Sequence, residues 1–207
     1  MAATDEAERF WEERYQRSDR IWSGRVNPVM AEIVEPLKPG RVLDLGCGEG
    51  GDAVWLARQG WRVTGVDISA TALERAAVHV AEAGVAERVT FERHDLATDF
   101  PEGEFDLVSA QFLQSPVDFP RDEVLRRAAG AVAVGGVLLI VEHGAAPPWS
   151  DHAHADFPTA QETFDVLRLD PARWTAERVD APEREATGPD GHTGILTDNV
   201  IVARRTR

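Results

Sequence analysis

Three acidic residues and a run of glycines carry the chemistry most legible in this chain. Val42-Leu43-Asp44-Leu45-Gly46-Cys47-Gly48-Glu49-Gly50-Gly51 joins a short β-branched segment to an amphipathic one. In that context glycines let the main chain come close to a ligand, and the start of a helix offers free N–H groups. A nucleotide-like ligand is implied. Gly46, Gly48 and Gly51 fit the spacing G-x-G-x-x-G, and Asp67 follows at about the distance where an acid takes ribose hydroxyls. The glycines alone therefore admit a dinucleotide. Asp44 argues otherwise: a carboxylate two residues before the first glycine repels a pyrophosphate and suits a ligand carrying an amino group and a sulfonium.

The elements that must hold these residues can be read from apolar periodicity. Strands are expected at 41–45, 62–66, 89–93, 105–110 and 137–142, and helices at 51–59, 70–83 and 121–134. Gly84 and Gly135-Gly136 look like helix stops. This alternation builds a doubly wound α/β fold, a mostly parallel sheet covered on both faces. Val137-Leu138-Leu139-Ile140-Val141 is apolar at every position, as a central strand should be. Before residue 38 two helices are expected, the second capped by Asn27 and opened by Pro28. After residue 144 come a long polar loop, a helix near 159–167, and two strands at 175–184 and 196–204 around the turn Gly188-Pro189-Asp190-Gly191. They read as a hairpin of antiparallel strands at the sheet edge. The chain is thus expected to be one domain, with an N-terminal helical extension (1–38), a core (39–144), and a lid loop, helix and hairpin (145–207).

The stretch Asp44-Leu45-Gly46-Cys47-Gly48-Glu49-Gly50 resembles the D-x-G-x-G-x-G core of class I S-adenosylmethionine-dependent methyltransferases. Four further segments fall at that family's spacing: Gly65-Val66-Asp67-Ile68-Ser69, His94-Asp95-Leu96, Phe105-Asp106-Leu107-Val108 and Gly135-Gly136-Val137-Leu138. S-adenosylmethionine has the charge that Asp44 suits; NAD does not. The resemblance implies a seven-stranded Rossmann-like sheet ending in an antiparallel hairpin and covers nearly the whole chain. By it, Gly46 and Gly48, with Cys47 between them, line the methionine end of the cofactor. Asp67 takes the ribose hydroxyls, Ile68 packs on adenine, Asp95 and the Leu96 main chain meet the adenine amino group, and Gln111 lies near the methionine moiety. Phe10-Trp11-Glu12-Glu13-Arg14-Tyr15 and Ile21-Trp22-Ser23-Gly24-Arg25 resemble the N-terminal extension of thiopurine and tellurite-resistance methyltransferases. That implies Trp22 and Arg25 closing over the methionine end, through the aromatic face and the guanidinium.

The other chemistry-bearing residues have quieter readings beside the sharp ones. Cys47 at a helix start is a candidate nucleophile or a small loop filler. Asp151-His152-Ala153-His154-Ala155-Asp156 is a candidate metal cluster, an acceptor lid, or a solvated loop; no metal is assigned. His143, at the end of the fifth strand, is a candidate general base or a packing residue, and Gln114 a candidate to orient an acceptor, since an amide is no base near neutral pH. His79 and His94 read as structural, and Trp149 as a neighbour of the pocket.

The 207 residues hold 36 acids against 22 bases, a formal charge of −14, which disfavours nucleic acid and anionic membrane as partners. The single cysteine forms no internal disulfide, and the longest apolar run is too short to span a bilayer. A cytoplasmic protein, monomer or homodimer, is expected, transferring methyl from S-adenosylmethionine to a small-molecule acceptor, in particular a thiol, chalcogen or amine; an ionised thiol or chalcogen needs no base, whereas a protonated nitrogen or a hydroxyl does. A non-catalytic cofactor-binding module and an NAD-dependent oxidoreductase are the alternatives.

Overall fold

The run 137–141 has no polar face to offer water, and the chain buries all of it. In a computed structural model, which describes residues 3–146, 149, 157–188, 191 and 193–207, this run is the middle of a central strand. The elements are α1 (Ala3–Gln16), α2 (Pro28–Val34), β1 (Arg41–Leu45), α3 (Gly51–Arg58), β2 (Arg62–Asp67), α4 (Ala70–Glu82), β3 (Val89–Arg93), β4 (Phe105–Gln111), α5 (Arg121–Gly130), β5 (Val132–His143), α6 (Ala160–Val166), β6 (Trp174–Asp180), β7 (Glu183–Thr187) and β8 (Thr193–Arg205).

Seven strands follow the order β3-β2-β1-β4-β5-β8-β6. The first five are parallel. The winding reverses between β1 and β4, the place where open α/β sheets bind ligands, beyond the carboxyl ends of their strands. Each face has its own core. Val42, Val63, Leu107, Leu139 and Val202 meet Met30 of α2 and Leu56 of α3 on one side; Leu43, Val108, Leu138 and Ile140 meet Val124, Leu125 and Ala128 of α5 on the other. Each fully buried aliphatic side chain contributes roughly 1.5–3 kcal/mol relative to exposure.

The α/β class, the helices before residue 38 and near 159–167, and the Asn27 cap match the reading of the sequence; the cap of α6 is an addition. Asn27 accepts the Val29 N–H at 2.8 Å, and Thr159 and Glu162 form a reciprocal capping box on α6. Three details differ. First, β8 is antiparallel to both β5 and β6, so the reversed strand lies inside the sheet and β6, on the rim, runs with the first five. Second, the 175–184 strand breaks at Ala181-Pro182, where proline has no N–H for the ladder. Its remainder, β7, pairs with the far half of β8 from Glu183↔Thr197 to Thr187↔Thr193.

Third, α5 ends at Gly130 and β5 starts at Val132, earlier than periodicity suggests. Gly135-Gly136 does not stop a helix but sits at an irregularity in the β4–β5 ladder. Gly135 has φ +86°, and a Cβ on Gly136 would lie 2.9 Å from the carbonyl oxygens of Ala133 and Asp106.

Glu12 ties helix α1 to the start of α4. Glu12 accepts hydrogen bonds from Ser69 Oγ at 2.7 Å and from the Thr71 N–H and hydroxyl, at the start of α4. Burial pushes its carboxyl up, but these bonds outweigh it and bring the pKa down to about 2.

Candidate cofactor and acceptor site

The chain leaves β1 through Gly46, Gly48 and Gly50, with φ of +68°, +53° and +78°. Side chains other than glycine rarely hold such values. The loop is tied to β2 by the Cys47 N–H on the Val66 carbonyl and by the Gly48 N–H on Asp67 Oδ2, both 2.9 Å. Asp67 Oδ1 accepts the Ser69 N–H at 2.9 Å. Burial raises the Asp67 pKa, while the N–H groups of Ser69, Gly48 and Ile68 oppose the rise. Each oxygen keeps a lone pair beyond these bonds.

Strand register places several polar residues in one row. Asp44 pairs with Gly65 and Ser109, Gln111 with Val141, and His143 with Asp198. Because side chains alternate with period two, Asp67, Asp44, Ser109, Gln111, His143 and Asp198 all project from the same sheet face, toward its C-terminal edge. Asp44 is 2% exposed, and its Oδ2 has no hydrogen-bond partner among the described residues. Gln111 donates to Ser109 Oγ at 3.0 Å, while its buried Oε1 is likewise without a partner among the described residues. Burial, then the charges of Asp52 and Asp67, push the Asp44 carboxyl well above the usual range. Two buried acceptors without donors are costly unless a ligand brings the donors. S-adenosylmethionine, with an ammonium and a sulfonium beside ribose hydroxyls, fits this set.

A segment from Ile21 to Asn27 lies across the loop. Glu49 accepts the N–H groups of Ile21 and Trp22 at 3.1 and 3.0 Å and pairs with Arg75 at 3.0 Å. Asp52 Oδ1 accepts the Asn27 N–H at 2.9 Å. Trp22 Nε1 donates to the Tyr15 hydroxyl at 3.0 Å. That hydroxyl would lie 2.9 Å from a Cβ on Gly48, and the Gly24 main chain 3.1 Å from one on Gly51. Trp22 thus stands against the glycine loop, 45% exposed, with the Arg14 guanidinium 5.7 Å from its ring. Arg25 is exposed and has no ion pair among the described residues. Tyr15, Glu49 and Asp52 were not singled out from sequence. An acid inside the glycine loop was the available signal for Glu49.

The third-strand residues make mostly local bonds. Asp95 Oδ1 accepts the Ala97 N–H at 3.0 Å and Oδ2 the Thr98 hydroxyl at 3.3 Å. Leu96 is buried in the core, and its carbonyl accepts from Arg127 at 3.1 Å. Ile68 is half-buried, its carbonyl accepting from Arg93 at 2.9 Å. His94 bridges Asp99 and Glu92, and His79 Nδ1 lies 2.8 Å from the Glu49 carbonyl, both structural placements. Burial, Asp67 and Asp44 raise the Cys47 thiol well above its ordinary value, against a nucleophilic role.

Past β4 and β5 the geometry changes character. Phe112 holds φ +52°, and Gln114 makes two bonds to the main chain of His143, accepting its N–H at 2.9 Å and donating to its carbonyl at 3.3 Å. Its amide thus places His143 rather than facing an acceptor. The Phe112 ring lies 4.5 Å from the imidazole, and the Phe157 ring meets it edge-on at 6.4 Å. Trp149 lies against Gly188, where a Cβ would meet its ring at 2.6 Å. The stretch Asp151 to Asp156, with its two histidines, lies outside the described residues. Among the described residues no cluster of three metal-ligating side chains occurs, and no helix is long and apolar enough to cross a membrane. A groove of about 390 Å³ between α2 and β6 lies at the opposite end of the sheet, lined in part by Ile33, Leu37, Val137 and Arg178.

Residues 42–136 match the family described as a methyltransferase domain. The 2-heptyl-1-hydroxyquinolin-4(1H)-one methyltransferase of Mycobacteroides abscessus is 30% identical over 178 residues, 82% of this chain and 74% of that protein. Ribosomal RNA small subunit methyltransferase C of Alcanivorax borkumensis is 36% identical over 140 residues, 63% of this chain; the chain spans only 42% of that relative's length. The crystal structure of TehB from Haemophilus influenzae superposes with a TM-score of 0.71 at 16% identity, covering 94% of this chain and 66% of that one, a likeness of fold. Asp44 before the glycines, the sheet order and these matches agree, and the chain belongs to the class I S-adenosylmethionine-dependent methyltransferases.

Proposed function

We propose that this chain works as one methyltransferase domain, in the cytoplasm, and moves the methyl group of S-adenosylmethionine to a small-molecule acceptor. The observation that carries the reading is the pair of buried acceptors without donors among the described residues, Asp44 Oδ2 and Gln111 Oε1, beside the glycine loop. The bound cofactor supplies an electrophilic methyl carbon on a sulfonium. Asp44 and Gln111 take its amino group, Asp67 takes the ribose hydroxyls, Ile68 and Leu96 border the adenine with Asp95 beside them, and Trp22 with Arg25 covers the methionine end. Glu49 and Asp52 hold the covering segment by its main chain, so that water is kept from the reacting centre. Displacement at carbon needs the nucleophile close and in line, which makes positioning the main task of the protein.

Thiol and chalcogen acceptors, once ionised, and amines that are unprotonated at neutral pH suit a site without a base. The placement of His143 favours a second reading, an acceptor whose nucleophilic atom carries a proton. The charge of −14 weighs against nucleic acid, although one relative is a ribosomal RNA methyltransferase. Incubation with methyl-labelled S-adenosylmethionine and a panel of thiols, amines, phenols and RNA tests the reading. Label in small molecules supports it; label in RNA alone, or tight cofactor binding with no turnover on any acceptor, contradicts it.

A further inference from the structure

The acceptor end of the site holds a titratable cluster that cofactor binding does not use. His143 Nδ1 lies 4.0 Å from Asp198 Oδ1 across the β5–β8 ladder. Asp198 is 2% exposed and is held by Arg184 through Nε on Oδ2 at 2.5 Å and Nη2 on Oδ1 at 3.5 Å. Gln114 fixes the main chain beneath His143 from the other side. Among the described residues, the charged groups facing the imidazole are Asp198 from β8 and Arg184 from β7; Phe112, after β4, and Phe157, before α6, present their rings to it. Burial lowers the His143 pKa, Asp198 opposes this, and Arg184 adds to it, so the ring is neutral and able to take a proton at neutral pH. About a third of the side chain, 36%, stays open.

A positioned base discriminates among acceptors. A thiol carries some thiolate near neutral pH and needs none, and an aromatic amine, unprotonated at neutral pH, attacks through its free lone pair. An aromatic hydroxyl, with a pKa near 10, is protonated and a poor nucleophile until its proton has somewhere to go. The two phenylalanine rings beside the imidazole favour a flat aromatic partner.

We propose that His143, oriented by Asp198 and Arg184, receives the proton of an aromatic hydroxyl acceptor as that oxygen is methylated. The inference rests on the methyltransferase reading above. The hydroxyl oxygen forms a bond to the methyl carbon with its own lone pair while the carbon–sulfur bond breaks and leaves its pair on sulfur. The proton passes to His143 Nε2, and the imidazolium returns it to solvent. Asp198 Oδ1, 4.0 Å from Nδ1 and beyond direct hydrogen-bond reach, favours the protonated ring through its charge and acts as a positioning residue.

The test has two arms. In the cofactor-free protein, NMR titration of the His143 ring should give a midpoint below the ordinary 6.5. Asp198→Asn should lower it further and Arg184→Gln, at a half-open side chain, should raise it; a midpoint that neither variant moves overturns the part given to Asp198 and Arg184. With shape-matched phenols and thiophenols as acceptors, His143→Gln should cost roughly 100-fold or more in kcat on phenols, with KM little changed and the acidic limb of the pH profile removed. On thiophenols the loss should stay within a few-fold. Equal activity of His143→Gln and wild type on phenols overturns the proposal. Calorimetry with S-adenosylhomocysteine separates the two levels: if the wild type does not bind it, the methyltransferase reading itself fails. If it binds and only thiophenols are methylated, the hydroxyl proposal alone falls.

Discussion

Asp67 Oδ2 accepts the Gly48 N–H at 2.9 Å, so the last residue of β2 holds the tip of the loop that leaves β1. The other oxygen holds the Ser69 N–H, at the cap of α4. One carboxylate therefore shapes the loop, and its remaining lone pairs are those proposed for the ribose hydroxyls. Asp67→Ala removes both functions. Affinity for S-adenosylhomocysteine should fall by about 1–3 kcal/mol, the cost of losing a buried, charged hydrogen-bonding partner. A dissociation constant equal to that of the wild type by calorimetry would take Asp67 out of the site.

Asp44 opposes stability and binding to each other. Its pKa is raised in the folded state by burial and by Asp52 and Asp67. The folded chain therefore holds that proton more tightly than the unfolded one. The contribution of Asp44 to stability is full below its ordinary value of 3.8 and is lost as pH rises toward the raised one. Asp44→Asn should make the cofactor-free protein more stable at neutral pH and should weaken S-adenosylmethionine binding by about tenfold or more. Thermal melts across pH, paired with calorimetry, read both effects; a variant that is less stable and binds equally well would contradict this role.

Glu49 has the opposite sign. Burial raises its pKa, but the Trp22 N–H, Arg75 and the Ile21 N–H together bring it below the ordinary value. Its stabilisation is present above the unfolded pKa and disappears as pH falls through the folded one. Glu49→Gln should cost about 1–3 kcal/mol in urea unfolding. It should also expose residues 17–25 to limited proteolysis while the sheet stays intact. Protection of that segment equal to wild type would show that Glu49 does not hold it.

How much of this was readable in the chain depends on what kind of group does the work. Asp44, Asp67 and the glycines are legible because their spacing follows the strand–loop–helix geometry. Tyr15, Glu49 and Asp52 are not, because they act on the main-chain N–H groups of residues 21–27 or on Trp22, and backbone donors leave no mark in sequence. Gln114 looks like a side chain aimed at an acceptor. Only the tight turn through Phe112, at φ +52°, directs it to the His143 main chain instead. Gly135-Gly136 reads equally as a helix stop or a strand irregularity, and the carbonyls crowding Gly136 decide for the second. The break of the penultimate strand at Pro182 could be anticipated from the missing N–H. The pairing of β7 with the far half of β8 could not, since it depends on the length by which β8 outruns β5.

Two glycines should respond in opposite directions. Gly136→Ala drives a methyl group against three carbonyl oxygens, the nearest at 2.9 Å, and should destabilise by about 1–3 kcal/mol. Gly130, the last residue of α5, has open space around its missing Cβ. Gly130→Ala should stabilise by about 0.4–1 kcal/mol. Urea denaturation of the two variants side by side checks the assignment, and equal effects would contradict it.

Calorimetric titration of the purified chain, freed of any co-purified ligand, with S-adenosylmethionine, S-adenosylhomocysteine and NAD addresses the central claim most directly. Binding of the first two without NAD is the predicted result; binding of NAD alone, or of none of the three, would contradict it.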